Sequence, residues 1–120
     1  MRADGQLYLR VVSVLQGFGA LYVLLNAFVA TEMSAALGVA LGLFAAAAGG
    51  ASIGLGKGWK VAFRLSLALN AIVVGVGFLL LYLARDAPWL GLAHILAGAI
   101  LLLGLWAGRA AIVPGFSSRA

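Results

Sequence analysis

The chain reads as an all-α integral membrane protein, with four transmembrane helices in an antiparallel up-down bundle and both termini cytoplasmic. Three observations carry that reading. Of the 120 residues, 65% are hydrophobic and only 9% are charged, whereas charged residues make up about a quarter of a soluble domain. Mean hydropathy is +1.16. The apolar residues fall into four runs, each near the roughly 20 residues needed to cross a bilayer, divided by short polar clusters. These runs fill a single domain, 1–120, and leave no room for a soluble catalytic module.

Met1 to Gln6 is a short polar start in which Asp4 is placed to cap a helix beginning near Leu7. The first span covers 7–30. A basic start before an apolar run resembles a signal peptide, but the run is too long for one and Phe28 suits a cut at Ala30 poorly, so a retained helix is expected. Thr31, Glu32 and Met33 make a tight connection that returns the second span, 34–56, beside the first. Lys57, Gly58, Trp59 and Lys60 form the next turn, and the third span covers 61–84. Arg85, Asp86, Ala87 and Pro88 end it. The fourth span covers 89–108, with Pro88 at a first helical position where its missing N–H would be unpaired anyway. Arg109 to Ala120, containing Pro114 and Gly115, reads as a surface tail.

Orientation follows from the basic residues. Arg2, Arg10, Lys57, Lys60, Arg64, Arg109 and Arg119 fall on one side of the spans and only Arg85 on the other. Lys and Arg are enriched in cytoplasmic loops, so the first side is expected inside, with Trp59 and Trp106 in its aromatic belt and Trp89 with Tyr82 in the opposite one. The expected location is the inner membrane of a bacterium, as a multi-pass protein. Arg10, Lys57, Lys60, Arg64 and Arg109 form a basic collar suited to lipid headgroups. Because these cations sit at span ends and form no surface patch, the lipid bilayer is the expected partner and nucleic acid is not.

At a constant offset of 54, Arg10 meets Arg64, Gln16 meets Asn70, Glu32 meets Asp86, Gly50 meets Gly104 and Gly54 meets Gly108. This pattern suggests a weak two-hairpin repeat, 7–56 and 61–110, related by an axis along the membrane normal.

The second span carries an unbroken row of small residues in steps of four: Ser34, Gly38, Gly42, Ala46, Gly50, Gly54 and Gly58. In water such a segment would be a poor helix, since each Gly costs about 1 kcal/mol relative to Ala. In lipid the backbone must be satisfied internally, so the helix forms and the small face admits a close neighbour. Gly38, Gly42, Gly50, Gly54, Gly104 and Gly108 are therefore expected to pack helices. Steps of four drift by about 40° each, so one partner can engage only part of the row and a second helix should meet the rest.

Polar groups inside spans are costly and mark functional candidates. Gln16 and Asn70 lie at matching depths, with Ser13 and Ser66 on the same faces, and Asn26 and His94 share a second layer near the other end. The amides read first as interhelical hydrogen-bonding bridges, and alternatively as a weakly polar path for a substrate. His94 is flanked by Gly91 and Gly98, three before and four after it, a small-sided face that suits a flat ring. It reads first as a hydrogen-bonded structural histidine, and alternatively as the candidate cofactor ligand, for a chlorophyll or a haem, or as a proton-handling group; no other cofactor is predicted. His94 has no partner at metal-ligand spacing, so no metal site is expected.

No enzyme is expected either. The acids are Asp4, Glu32 and Asp86, all outside the spans, and the serines have no histidine and carboxylate partners for nucleophilic catalysis. In size and span count the chain resembles the small multidrug resistance transporters, dimers of four-helix subunits that depend on a glutamate within the first span. The first span here offers Gln16 and Asn26 and no carboxylate, so the resemblance is one of architecture and implies no proton-coupled mechanism. Three functions are consistent with these residues: an accessory subunit of a larger membrane complex or homo-oligomer, packed through the small face; a small oligomeric transporter or channel; and a pigment- or haem-binding subunit through His94.

Overall fold

The computed structural model describes residues 2–117, with side chains from 5 to 110. It consists of four helices: α1 (Arg2–Met33), α2 (Ala35–Gly56), α3 (Lys60–Leu83) and α4 (Pro88–Ser117). All four contain a stretch long and apolar enough to span a membrane. The molecule measures 46 Å along its longest axis, close to the roughly 40–45 Å of a bilayer with its headgroups. The all-α four-helix membrane bundle is therefore what the chain forms.

Several boundaries differ from the sequence reading. Helix α1 already runs through Asp4, which is thus not its cap, and continues through Thr31, Glu32 and Met33. The turn into α2 is Ser34 alone, in extended backbone, whose Oγ accepts from the Leu37 amide at 3.3 Å. A serine that caps one helix directly at the end of another needs no loop. Helix α2 closes on a motif not anticipated: the Gly58 amide donates to the Leu55 carbonyl at 3.0 Å and the Trp59 amide to the Gly54 carbonyl at 3.0 Å. Gly58 has φ +77°, the left-handed conformation that satisfies these terminal carbonyls and favours glycine. Helix α4 extends through Pro114 to Ser117, so the expected surface tail is helical as far as it is described; residues 118–120, Arg119 among them, lie outside the described residues.

The helices form a square in which α1 packs on α2 and α4, and α3 on α4 and α2, with the contacts inside each hairpin more extensive than those between hairpins. The end holding Arg10, the 57–59 turn, Arg64 and Arg109 is called the basic end below, and the opposite one, with Ser34 and the 84–87 turn, the hairpin end. The seams between hairpins lie toward the basic end. A Cβ on Gly54 would come within 2.7 Å of the Ala62 side chain, one on Gly104 within 2.5 Å of Val12, and one on Gly108 within 3.0 Å of the Gly5 carbonyl. Beside them Leu9, Val12, Leu55, Ala62 and Leu105 make a core to which all four helices contribute. Toward the hairpin end the close seams run within hairpins instead. A Cβ on Gly38 would stand 3.0 Å from the Thr31 Cα, and one on Gly91 2.6 Å from the Gly77 carbonyl oxygen. The hairpins are thus clamped together at the basic end and part toward the other.

Candidate functional site

Midway along the bundle, Gln16 and Asn70 close the diagonal between α1 and α3, two helices whose backbones do not pack on each other. Asn70 Nδ2 donates to Gln16 Oε1 at 2.9 Å and to the Ser66 carbonyl at 2.9 Å. Gln16 Nε2 donates to Ser66 Oγ at 3.0 Å and to the Ala48 carbonyl at 3.2 Å. Because a backbone carbonyl only accepts, these bonds fix which end of each amide is nitrogen. Gln16, Ser66 and Asn70 are all buried. One layer toward the basic end, Ser13 Oγ donates to the Ser52 carbonyl at 2.6 Å, tying α1 to α2. The matched depths of Gln16 and Asn70 thus end in a direct bond between them, across 54 residues of sequence.

The outer pair expected from depth does not form. Asn26 is exposed, and its Nδ2 donates to the Tyr22 carbonyl of its own helix at 2.8 Å. Ala27, one residue on, takes the buried position instead. His94 is half-buried and bonds within α4, its Nδ1 standing 2.8 Å from the Leu90 carbonyl oxygen. Since that oxygen accepts, Nδ1 carries a proton, and in the neutral imidazole Nε2 is then the lone-pair nitrogen. Gly91 and Gly98 do not flank the ring as a slot. Both are buried against α3, where a Cβ on Gly98 would lie 2.9 Å from the Asn70 carbonyl oxygen.

Where the hairpins part, they enclose a cavity of about 310 Å³. Gln16 and Asn70 lie at its floor beside Leu101, the His94 ring is part of its wall, and Tyr22 and Trp89 stand toward the hairpin end. From Trp89 to Leu101 the α4 wall is about 18 Å long at 1.5 Å per residue. Its flanks are small: Gly19 and Ala20 on α1, Ala93 and Ala97 on α4. Gly19, Ala93 and Ala97 are themselves exposed, so the cavity opens sideways between α1 and α4. No Lys, Arg, Asp or Glu lines it.

Of the six glycines expected to pack helices, Gly38, Gly54, Gly104 and Gly108 meet a neighbour closely, whereas Gly42 and Gly50 have nothing within 4 Å of a built Cβ. The drift of the row explains the split: its hairpin-end member, Gly38, faces α1 and its basic-end member, Gly54, faces α3, leaving the middle turned out of the bundle. The spacing of seven between Gly91 and Gly98 marks one helix face, and that face packs closely on α3, Gly91 at Gly77 and Gly98 at Val74. In the basic collar, Arg109 stacks on Trp106 with Cζ 3.8 Å from the ring centre, and Lys57 Nζ lies 5.1 Å from that of Trp59. Such cations stay at the ends of spans with their stems along apolar surface. Arg10 and Arg64 are exposed and Lys60 is half-buried.

No family model, curated protein or solved structure matches this chain.

Proposed function

We propose that the protein is a small carrier, which takes a compact, mostly apolar molecule from the bilayer into the cavity between its two hairpins. The observation that supports this reading is that three of the six polar residues singled out within the spans, Gln16, Asn70 and His94, line one cavity of about 310 Å³. That size falls at the lower end of the roughly 300–1,000 Å³ of small-molecule sites, and an apolar lining with few polar groups is usual for them. The Gln16 and Asn70 network and the core beneath it close the basic end. If the positive-inside orientation holds, the cavity belongs to the outer half of the membrane. The test is cavity filling: Ala97→Phe places a ring on an exposed wall position and leaves the polar network intact. Saturable binding of small aromatic probes to protein in nanodiscs, above that of protein-free discs, is expected for the native chain and not for Ala97→Phe. Equal uptake by native, variant and protein-free discs would sink the proposal.

A second reading, compatible with the first, is that the chain works as a subunit, joined to further copies or to other membrane proteins through α2. It is supported by the open positions at Gly42 and Gly50, with Ala46 exposed between them. A small face turned to lipid allows a second helix to approach closely. Gly42→Leu and Gly50→Leu should then lower the native mass of the purified assembly. An unchanged mass would count against this role.

A further inference from the structure

Resting on the carrier reading, we infer that the cavity selects neutral, flat ring compounds bearing a hydroxyl or N–H group, and discriminates against the same ring without a donor.

The argument is a count of hydrogen-bonding valences. Every fully buried side-chain nitrogen and oxygen among the described residues has a partner. At the cavity floor, Gln16 uses both Nε2 hydrogens on Ala48 and Ser66, and its Oε1 receives Asn70. Asn70 uses both Nδ2 hydrogens on Gln16 and Ser66. Its Oδ1 is the unused group, and it is an acceptor. On the wall, His94 gives its Nδ1 hydrogen to the Leu90 carbonyl. With Nδ1 turned back along α4, the opposite edge of the ring is the one that can reach into the cavity, and Nε2 on that edge is also an acceptor. The donors of the deep cavity are therefore spent and its acceptors are free. Trp89 and Tyr22 also carry N–H and O–H groups, but both are exposed toward the hairpin end.

A bound molecule must supply donors at its deep end. A carbonyl or ether oxygen there would face lone pairs and give up its own hydration without compensation. Charge is selected against as well, because no Lys, Arg, Asp or Glu lines the cavity and an unpaired ion in an apolar site is strongly disfavoured. Shape follows from the walls. Gly19 and Ala20 face Ala93 and Ala97 across the opening, with Phe44 from α2 among the lining residues, a thin space suited to a planar ring. A haem or chlorophyll would compete for the same Nε2 as an axial ligand, and a ligating histidine commonly donates its other N–H to a carbonyl as His94 does. Yet no Lys or Arg lines the cavity to pair the propionates of a haem.

The experiment measures binding of 2-naphthol, 2-methoxynaphthalene and 2-naphthoate to the full chain in nanodiscs, with protein-free discs subtracted. One saturable site for 2-naphthol is expected, roughly tenfold tighter than for the methyl ether, as one net hydrogen bond implies, and no saturable site for the anion. His94→Phe and Asn70→Leu should each shrink the preference for the hydroxyl while keeping affinity for the methyl ether. Because Asn70 also holds the bundle together, His94→Phe is the variant that keeps the test sharp if Asn70→Leu fails to fold. Equal or tighter binding of the methyl ether would overturn the ligand class and leave the carrier reading standing. Absence of saturable binding by all three probes, with the protein folded, would overturn both. A visible absorption band in gently purified protein that disappears in His94→Phe would overturn the inference by giving Nε2 to a metal centre.

Discussion

Replacing Gln16 by Met keeps the length and apolar bulk of the side chain and deletes all three hydrogen bonds it makes, to Ala48, Ser66 and Asn70. Hydrogen bonds between membrane helices average about 0.6 kcal/mol with a maximum near 1.7, because the unfolded chain in lipid also finds partners. The three together set the expected loss near 2 kcal/mol, a fall of about thirtyfold in the ratio of folded to unfolded protein. The more demanding test is the double-mutant cycle with Asn70→Leu. Only one bond joins the two side chains directly, so the double variant should be more stable than the sum of the single losses implies by about 0.6–1.7 kcal/mol. Unfolding by titrating a denaturing detergent into mixed micelles, followed by far-UV circular dichroism, measures all four proteins. Additivity within about 0.3 kcal/mol, or a Gln16→Met protein as stable as the native one, would refute the view that this diagonal bridge fixes the register of α1 against α3.

The glycine seams give a contrast within one residue type. Gly91→Ala would set a methyl 2.6 Å from the Gly77 carbonyl oxygen and 2.9 Å from the Leu81 amide nitrogen. Backbone cannot yield as a side chain can, so a loss of about 1–3 kcal/mol is expected in the same titration. Gly42→Ala meets nothing within 4 Å and should be neutral or stabilising by up to about 1 kcal/mol through helix propensity; similar losses at both sites would contradict the packing described. The chain contains no cysteine, which makes orientation directly measurable. With Asp86→Cys and Lys57→Cys made singly, a membrane-impermeant maleimide applied to intact cells should label the first and spare the second. The reverse pattern would place the basic end outside.

Much of this architecture was legible in the sequence because hydropathy, span length and depth are one-dimensional quantities. Depth alone matched Gln16 to Asn70, and each helix continues one way at a fixed rise, so two polar residues at one level in a narrow bundle have few other partners. Depth without rotation misled at Asn26. It lies ten residues beyond Gln16, which turns it about 80° away from the core-facing direction, while Ala27 returns to within about 20° of it. That rotation was calculable, and it accounts for a buried Ala27 beside an exposed Asn26. The glycines near His94 show a different limit. Gly91 and Gly98 do share a face, but nothing in a single sequence says that the face belongs to α3, leaving the histidine about 50° round the helix, beside the cavity.

By itself the sequence determined the medium, the number of spans, which helix ends lie together and which residues lie at each depth, since these depend on composition and on the regular rise of a helix satisfied within itself. Tertiary structure decided which faces meet. It clamped the hairpins at Gly54, Gly104 and Gly108, let them part toward Ser34 and the 84–87 turn, and so opened the cavity. A cavity comes from the angle between helices, and that angle is set by which small residues allow two backbones to touch, at which level and on which side.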